Sequence, residues 1–215
     1  MMKFTLALLA FVATSTAAPW KLPNVGRGEL ADELQDFLDL LPQDEIVSIT
    51  LQYYTQDAEF QAMVRYLKSD DFKLLVKDIE DLPEMKALME YMYNAGLDVY
   101  ELQEMLNKWL GLVSRNFAAD KQITGGIRGY VDDIRAAIRP VYNQLKALYE
   151  TKMKTSKVFQ DFITQLSSPN FQELVYKVYA HPKFQQLLQH AANAGIDLEV
   201  VREWLKMLLP IEFPF

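Results

Sequence analysis

Cysteine is absent from all 215 residues of this chain. Without thiols the chain can form no disulfide, no zinc–thiolate site and no iron–sulfur cluster, and a catalytic cysteine is excluded. Its stability must therefore come from burial of apolar surface, and 50% of its residues are of hydrophobic types. A chain of this length can bury a core large enough for that purpose.

Recognisable catalytic patterns are also absent. The two histidines, His181 and His190, are nine residues apart, which fits no common helical metal motif, and we interpret them as capping or surface residues. No Gly-x-Ser-x-Gly elbow occurs, and the acidic clusters at 70–71, 78–81 and 132–133 are typical of solvated helix starts. We therefore predict no enzymatic activity, no metal site and no cofactor other than a bound cargo.

Long apolar runs are missing beyond the first residues, which indicates no transmembrane segment. The start of the chain has a basic residue, Lys3, an apolar run over 4–12 and small residues at 15–17, a pattern that predicts a secretory signal peptide cut after Ala17. The alternative is a buried N-terminal helix. Residues 18–28, rich in proline and glycine, are expected to form an extended lead-in before a single all-α domain over 29–215.

The charge is acidic and unevenly distributed. Without Lys3 the chain has 21 basic and 29 acidic residues, a formal charge of −8. Residues 18–119 carry 9 basic and 19 acidic side chains, or −10, and residues 120–215 carry 12 and 10, or +2. We expect this difference to favour docking of the two halves, and the acidic balance argues against nucleic-acid binding.

The most informative positive feature is an internal repeat. Asn-Ala-Gly-Leu-Asp at 94–98 returns as Asn-Ala-Gly-Ile-Asp at 193–197, an offset of 99 residues. Over 60–112 against 159–211 the register holds without a gap, with 16 identities in 53 positions. Two structural units therefore follow one plan, repeat 1 at about 29–112 and repeat 2 at about 126–211.

Apolar spacing and capping residues predict six short helices in each repeat. Gly96 and Gly195 suit left-handed C-terminal caps, Ser69 and Ser168 suit N-caps, and Pro83 suits a first helical position, as its counterpart Pro182 does. The predicted helices span 29–41, 43–55, 58–68, 70–80, 83–95, 99–110, 126–139, 140–154, 157–167, 169–179, 182–194 and 198–208. The helices over 43–55 and 140–154 are expected to be central, wrapped by the others.

Methionine and aromatic residues lie on the apolar helix faces, where they predict either an ordinary packed core or an adaptable apolar cavity. Periodicity does not separate the two. The candidate cavity residues are Ile46, Ile49, Tyr53, Met63, Val64, Met89, Met92, Leu145, Leu148, Phe162, Ile163 and Leu188.

The repeated stretches at 72–76, 83–89 and 94–98, with their counterparts at 171–175, 182–188 and 193–197, resemble those of the insect allergen-related repeat family. The segment 125–134 also resembles the opening of that family's second copy. The family includes cockroach group-1 allergens, mosquito midgut microvillar proteins and the nitrile-specifier proteins of white butterflies.

The resemblance implies a twelve-helix capsule whose two copies enclose a large apolar cavity holding fatty acids or phospholipid. It also implies secretion into the gut lumen or onto microvilli. We therefore expect a secreted, monomeric, non-specific lipid-binding protein of the insect midgut, with peripheral association with the microvillar membrane. Two alternatives remain open: a nitrile-specifier-like detoxifying activity, and a structural coat of the microvillar surface whose cue is aromatic residues at the end of the chain, Phe213 and Phe215, expected to be exposed.

Overall fold

The fold of this chain, taken from a computed structural model, is described for residues 20–112, 123–196, 198–199, 202 and 211–214, with the backbone alone for 106–112. The helices are α1 (Leu30–Leu40), α2 (Gln43–Gln56), α3 (Ala58–Leu67), α4 (Asp70–Glu80), α5 (Pro83–Asn94), α6 (Val99–Leu112), α7 (Gly126–Ile138), α8 (Tyr142–Thr155), α9 (Lys157–Leu166), α10 (Pro169–Ala180) and α11 (Pro182–Asn193). The all-α class is confirmed, since the β structure in this part of the chain amounts to one isolated bridge between Asn24 and Leu97.

The predicted count of twelve helices is slightly off, because the described residues contain eleven. The predicted last helix, 198–208, falls mostly outside them, and so does the predicted signal peptide. A short 3-10 turn, Arg139–Val141, stands where the helix over 140–154 was expected to begin. Pro140 in this turn has no amide hydrogen to donate, which suits the start of a helix and not its interior.

The 99-residue register appears in the helix boundaries, although not in all of them. Helices α2, α3 and α5 begin and end 99 residues before α8, α9 and α11. Helices α1 and α7, in contrast, begin 96 residues apart, so the first helix of each half departs from the repeat.

Capping side chains act where the repeat predicted them. The amide of Phe72 donates to Ser69 Oγ at 3.3 Å, and the amide of Phe171 donates to Ser168 Oγ at 3.2 Å. Before α3 and α9 the equivalent positions carry different residues, Asp57 and Ser156, and both accept from the amide three residues later. The role is therefore retained at each helix start although the residue changes, because any short oxygen-bearing side chain can cap.

The two halves exchange their first helices. Helix α1 packs on α8 and α9 of the second half, and α7 packs on α2 and α3 of the first half. The fourth and fifth helices also make contacts across the halves, since α4 packs on α11 and α5 packs on α10. Each half therefore completes the packing of the other.

Only one of the two helices expected to be central is enclosed. Helix α2 buries four residues, among them Ile46 at 1% exposure and Tyr53 at 0%. Helix α8 buries only Lys152, and Tyr142 at its start is 54% exposed. The expectation of a central helix over 140–154 is therefore wrong, because this helix has one apolar flank and a mostly polar surface.

Residues 20–28, which we call the N-terminal strap, lie where the extended lead-in is expected and contribute Trp20 and Leu22 to the core. Trp20 is 2% exposed, and its backbone is held by the side chains of Gln35 and Gln43. Further along, the strap pairs with the turn at 95–98 through the amides of residues 25 and 98. No periodicity marks this segment, so the sequence alone did not reveal its burial.

Gly96 and Gly195 occupy equivalent positions of the repeat, and both have a positive φ, 112° and 78°. Their surroundings differ, because the strap packs against Gly96 only. A Cβ at Gly96 would lie 2.6 Å from the backbone oxygen of Arg27, whereas one at Gly195 would meet only the Arg128 side chain, at 3.8 Å. We expect Gly195→Ala to lower the free energy of unfolding by about 1 kcal/mol through backbone strain, and Gly96→Ala to lower it by about 2–4 kcal/mol.

Urea unfolding of the two variants beside the wild type measures this difference. Equal losses for both substitutions would show that the strap does not pack against the 95–98 turn as described.

Candidate functional site

A large apolar cluster, which we call the interior cluster, lies between the two halves. Its buried residues are Trp20, Leu22, Leu30, Ala31, Leu38, Ile46, Tyr53, Phe60, Val64, Met92, Leu97, Val99, Tyr130, Ile134 and Phe162. They come from the strap, from helices and the 95–98 turn of the first half, and from α7 and α9 of the second half. The exchange of first helices is what brings these faces together.

Nine of the twelve candidate cavity residues meet in the interior cluster. Five are among its buried members: Ile46, Tyr53, Val64, Met92 and Phe162. Four are partly buried against it: Ile49, Met63, Met89 and Ile163. The remaining three, Leu145, Leu148 and Leu188, are half-buried and do not join it. Leu145 and Leu148 lie on α8, the helix expected to be central, which is not enclosed.

Sequence reasoning missed several members of this cluster. Trp20 and Leu22 lie in the extended strap, where helical spacing gives no signal. Tyr130 and Ile134 are four residues apart on α7, a spacing that puts both on one helix face and that the sequence did offer.

Tyr53 and Tyr130 bring polar groups into this apolar region, and each has a partner. The Tyr130 hydroxyl lies 3.0 Å from Thr50 Oγ1, and the Tyr53 hydroxyl donates to Asp133 Oδ2 at 2.5 Å. Burial raises the pKa of Tyr130 to about 12, and burial together with the bond to Asp133 raises the pKa of Tyr53 to about 12. Both phenols are therefore neutral over the physiological range and do not act as general bases.

Asp133, expected to be a solvated charge, instead anchors the start of α7. Burial alone would raise its pKa, but hydrogen bonds from Tyr53 and Thr124 hold the pKa of Asp133 below its usual value. The amide of Gly125 donates to the Tyr53 hydroxyl at 3.1 Å, and the amide of Gly126 donates to Asp57 Oδ2 at 2.7 Å. The glycine-rich segment is thus tied to the first half.

A charged cluster occupies the equivalent position in the other half. Lys152, 99 residues after Tyr53, is 7% exposed and binds Glu33 and Asp36 of α1, the latter at 2.6 Å. Burial alone would lower the pKa of Lys152, but its hydrogen bonds to Asp36 and Glu33 raise it above the usual value. The ammonium is therefore charged and paired, and it is not available as a nucleophile.

A pocket of about 360 Å³ adjoins this charged cluster, between α1 and the α8–α9 junction. Its lining residues are Glu29, Glu33, Asp36, Leu148, Thr151, Lys152, Thr155, Ser156, Lys157 and Val158. Most of these side chains are polar, and Leu148 is the one cavity candidate among them. The pocket is therefore polar and differs from the apolar cavity that the resemblance implies.

Further ion pairs join the two halves, and all of those described in this paragraph have the same arrangement of charges. Lys177 binds Glu84 at 2.6 Å, and Lys183 binds Asp71 at 3.1 Å. In each case, as with Lys152, the base belongs to the second half and the carboxylate to the first. The hydrogen bond to Lys177 lowers the pKa of Glu84, and the same bond raises the pKa of Lys177. The acidic first half and the more basic second half are thus joined by direct ion pairs.

The two histidines lie in different surroundings. His181 is the residue before α11 but makes no side-chain capping bond there, and its Nε2 lies 3.4 Å from Asp78 Oδ2. His190 is exposed beside Tyr66, as expected of a surface residue. Across the described ranges there is no group of three or more acidic, histidine or cysteine side chains suited to a metal ion. The helices described here are also too short or too polar to cross a bilayer.

Comparison with known proteins identifies a family that this chain resembles over most of its length. Residues 29–202 match the profile of a family described as "Insect allergen related repeat, nitrile-specifier detoxification". The chain belongs to the insect allergen-related repeat family. One similar protein is Protein G12 of Anopheles gambiae. It is 24% identical to this chain over 182 residues, which cover 82% of this chain and 85% of that protein. The family match includes both exchanged first helices and the interior cluster apart from its strap residues.

We expect Lys152→Met to lower the free energy of unfolding by about 2 kcal/mol at pH 7. Loss of a buried partner costs about 3–5 kcal/mol, and the smaller value applies here because the Asp36 side chain is 57% exposed. A base whose pKa is raised on folding stabilises below its unfolded pKa of about 10.5 and loses that contribution as the pH rises through the folded value. Urea unfolding of both proteins at pH 7 and pH 11 measures this, and the difference should shrink at pH 11.

Lys157→Met is the matched control, because Lys157 is 78% exposed and its partner Asp161 is one helical turn away. Its loss should change the free energy of unfolding by less than about 1 kcal/mol. If the two lysine variants lose equal stability, the Lys152 cluster does not tie α8 to α1.

Proposed function

We propose that this chain is a secreted, non-enzymatic binding protein of the insect midgut that holds fatty acids or phospholipids in its apolar interior. The observation that supports this most directly is the interior cluster, which both halves line and which gathers nine of the twelve candidate residues. Polar groups at its edge are paired, so the region offers undirected apolar contact at about 25 cal/mol per Å² and little chemistry.

The side chains around the cluster suit a variable cargo. Met63, Met89 and Met105 are partly buried against it, and thioether chains repack around ligands of different shape at low cost. Selectivity should accordingly be low, because hydrophobic contact does not distinguish one acyl chain from another. The acidic surface, with a formal charge of −7 for the whole chain, would keep a loaded, monomeric particle soluble.

The proposal includes removal of a signal peptide and secretion of the protein into the gut. Family membership together with the signal-peptide pattern at 1–17 supports release into the gut lumen, with peripheral association with microvilli. The alternative role as a structural coat loses part of its cue, because Phe213, expected to be exposed, is 7% exposed. Phe215 lies outside the described residues.

We expect the protein purified from its own tissue or from a eukaryotic host to carry lipid. Native mass spectrometry should show a mass above that of the processed polypeptide, and organic extraction should release fatty acid or phospholipid in stoichiometric amount. A bare polypeptide mass from freshly purified protein, with no uptake of added fatty acid, would refute lipid binding.

Met89→Trp tests whether the lipid occupies the interior cluster, since the larger side chain fills space beside it. We expect the amount of bound lipid to fall at least about threefold, while the protein loses about 1–3 kcal/mol of stability through overpacking. Leu74→Trp is the matched control, because Leu74 is 49% exposed on α4 and its replacement should leave bound lipid unchanged. Equal lipid loads in both variants would place the lipid elsewhere.

The family is also described by nitrile-specifier detoxification, which supports a second candidate function. This chain would then redirect the breakdown of plant glucosinolates toward nitriles. An assay of breakdown products with and without the protein separates the two functions. An unchanged ratio of nitrile to isothiocyanate would exclude the second one.

A further inference from the structure

The described end of the chain, residues 211–214, lies on the protein as an extended segment that we call the C-terminal segment. Ile211 is 8% exposed and Phe213 is 7% exposed, while Glu212 between them faces solvent. Alternation with a period of two is the pattern of an extended chain lying on an apolar surface. In an extended chain two side chains related in this way are about 6–7 Å apart, the rise of two residues.

The surface beneath this segment is a second apolar cluster. Phe171 and Leu174 of α10 form its buried part, and further apolar side chains border it. These bordering residues are Leu82, Met85, Leu88, Leu166, Val175 and Val178. Leu88 of α5 and Leu166 of α9 also pack against the interior cluster, so the two apolar regions are continuous through this pair.

Glu212 joins the C-terminal segment to α10 through polar contacts. The Gln172 side chain pairs with the backbone of Glu212 in both directions, at 2.8 Å and 2.7 Å, and the Tyr176 hydroxyl donates to the Glu212 carboxylate at 3.2 Å. These contacts of Glu212 lie on the exposed side of the segment, where water can replace them at small net cost. The segment itself covers an apolar path to the interior.

We propose that the apolar surface under the C-terminal segment is the entry site for the cargo, and that an unbranched acyl chain enters by displacing Ile211 and Phe213. This inference rests on the proposed lipid binding. The surface suits an elongated apolar chain because it already accepts Ile211 and Phe213, with the polar Glu212 between them left at the surface. An acyl chain in place of this segment reaches Leu88 and Leu166, and through them the interior cluster.

The absence of cysteine from the chain allows a direct test by tethering. Replacing Gln172 and Glu212 by cysteine, Gln172→Cys with Glu212→Cys, puts thiols on facing positions, and a short bismaleimide cross-links them. The control is the same double variant blocked at each thiol with N-ethylmaleimide. An anthroyloxy-labelled fatty acid is the probe, and its uptake and its release into excess lipid vesicles are followed by stopped-flow fluorescence.

We expect cross-linking to slow both uptake and release at least about tenfold relative to the blocked control. Phe213→Ala should speed release about tenfold, because one aromatic anchor is removed, whereas Tyr142→Ala, at a residue 54% exposed on α8, should leave the rate unchanged. Unchanged rates in the cross-linked protein would overturn the entry site while leaving lipid binding intact. If the wild-type chain takes up no probe at all, lipid binding itself fails, and the entry site fails with it.

Discussion

The exchange of first helices between the halves is the constraint on which the other features depend. Helix α1 covers α8 and α9, and α7 covers α2 and α3, so neither half buries its apolar faces alone. A duplicated sequence could also give two separate bundles side by side. Here the exchange produces one shared apolar interior, because the stripes on repeated helices find their partners across the pair and not within each copy.

One position of the repeat shows how the two copies have diverged around this shared geometry. Tyr53 and Lys152 are equivalent by the 99-residue offset, and each reaches an acidic residue on the first helix of the other half. The phenol binds one carboxylate beside the interior cluster, whereas the ammonium binds two beside a polar pocket. The same structural link therefore separates an apolar side of the molecule from a charged one.

Helical elements and their caps could be predicted from the sequence, because both depend on residues within one or two turns. The serine caps before α4 and α10 and the glycines after α5 and α11 are local features of this kind. The burial of Trp20 and Phe213 could not be predicted in the same way. Both lie in extended segments, where three or four residues give no usable period. Their positions are fixed by glutamine side chains far along the chain, Gln35 and Gln172.

These two glutamines point to a common design at the two ends of the described chain. Each lies on a helix, α1 or α10, and pairs its amide with the backbone of a segment that has no helical structure. In both segments alternate apolar side chains are buried. The ends differ in what else holds them. The N-terminal strap also pairs its backbone with the 95–98 turn, where added side chains at glycine positions would meet backbone atoms. In the C-terminal segment the backbone of Glu212 is instead paired with a side chain, that of Gln172. The proposed entry of cargo uses this second end, because separating Glu212 from α10 breaks contacts of side chains and leaves the helix backbones in place.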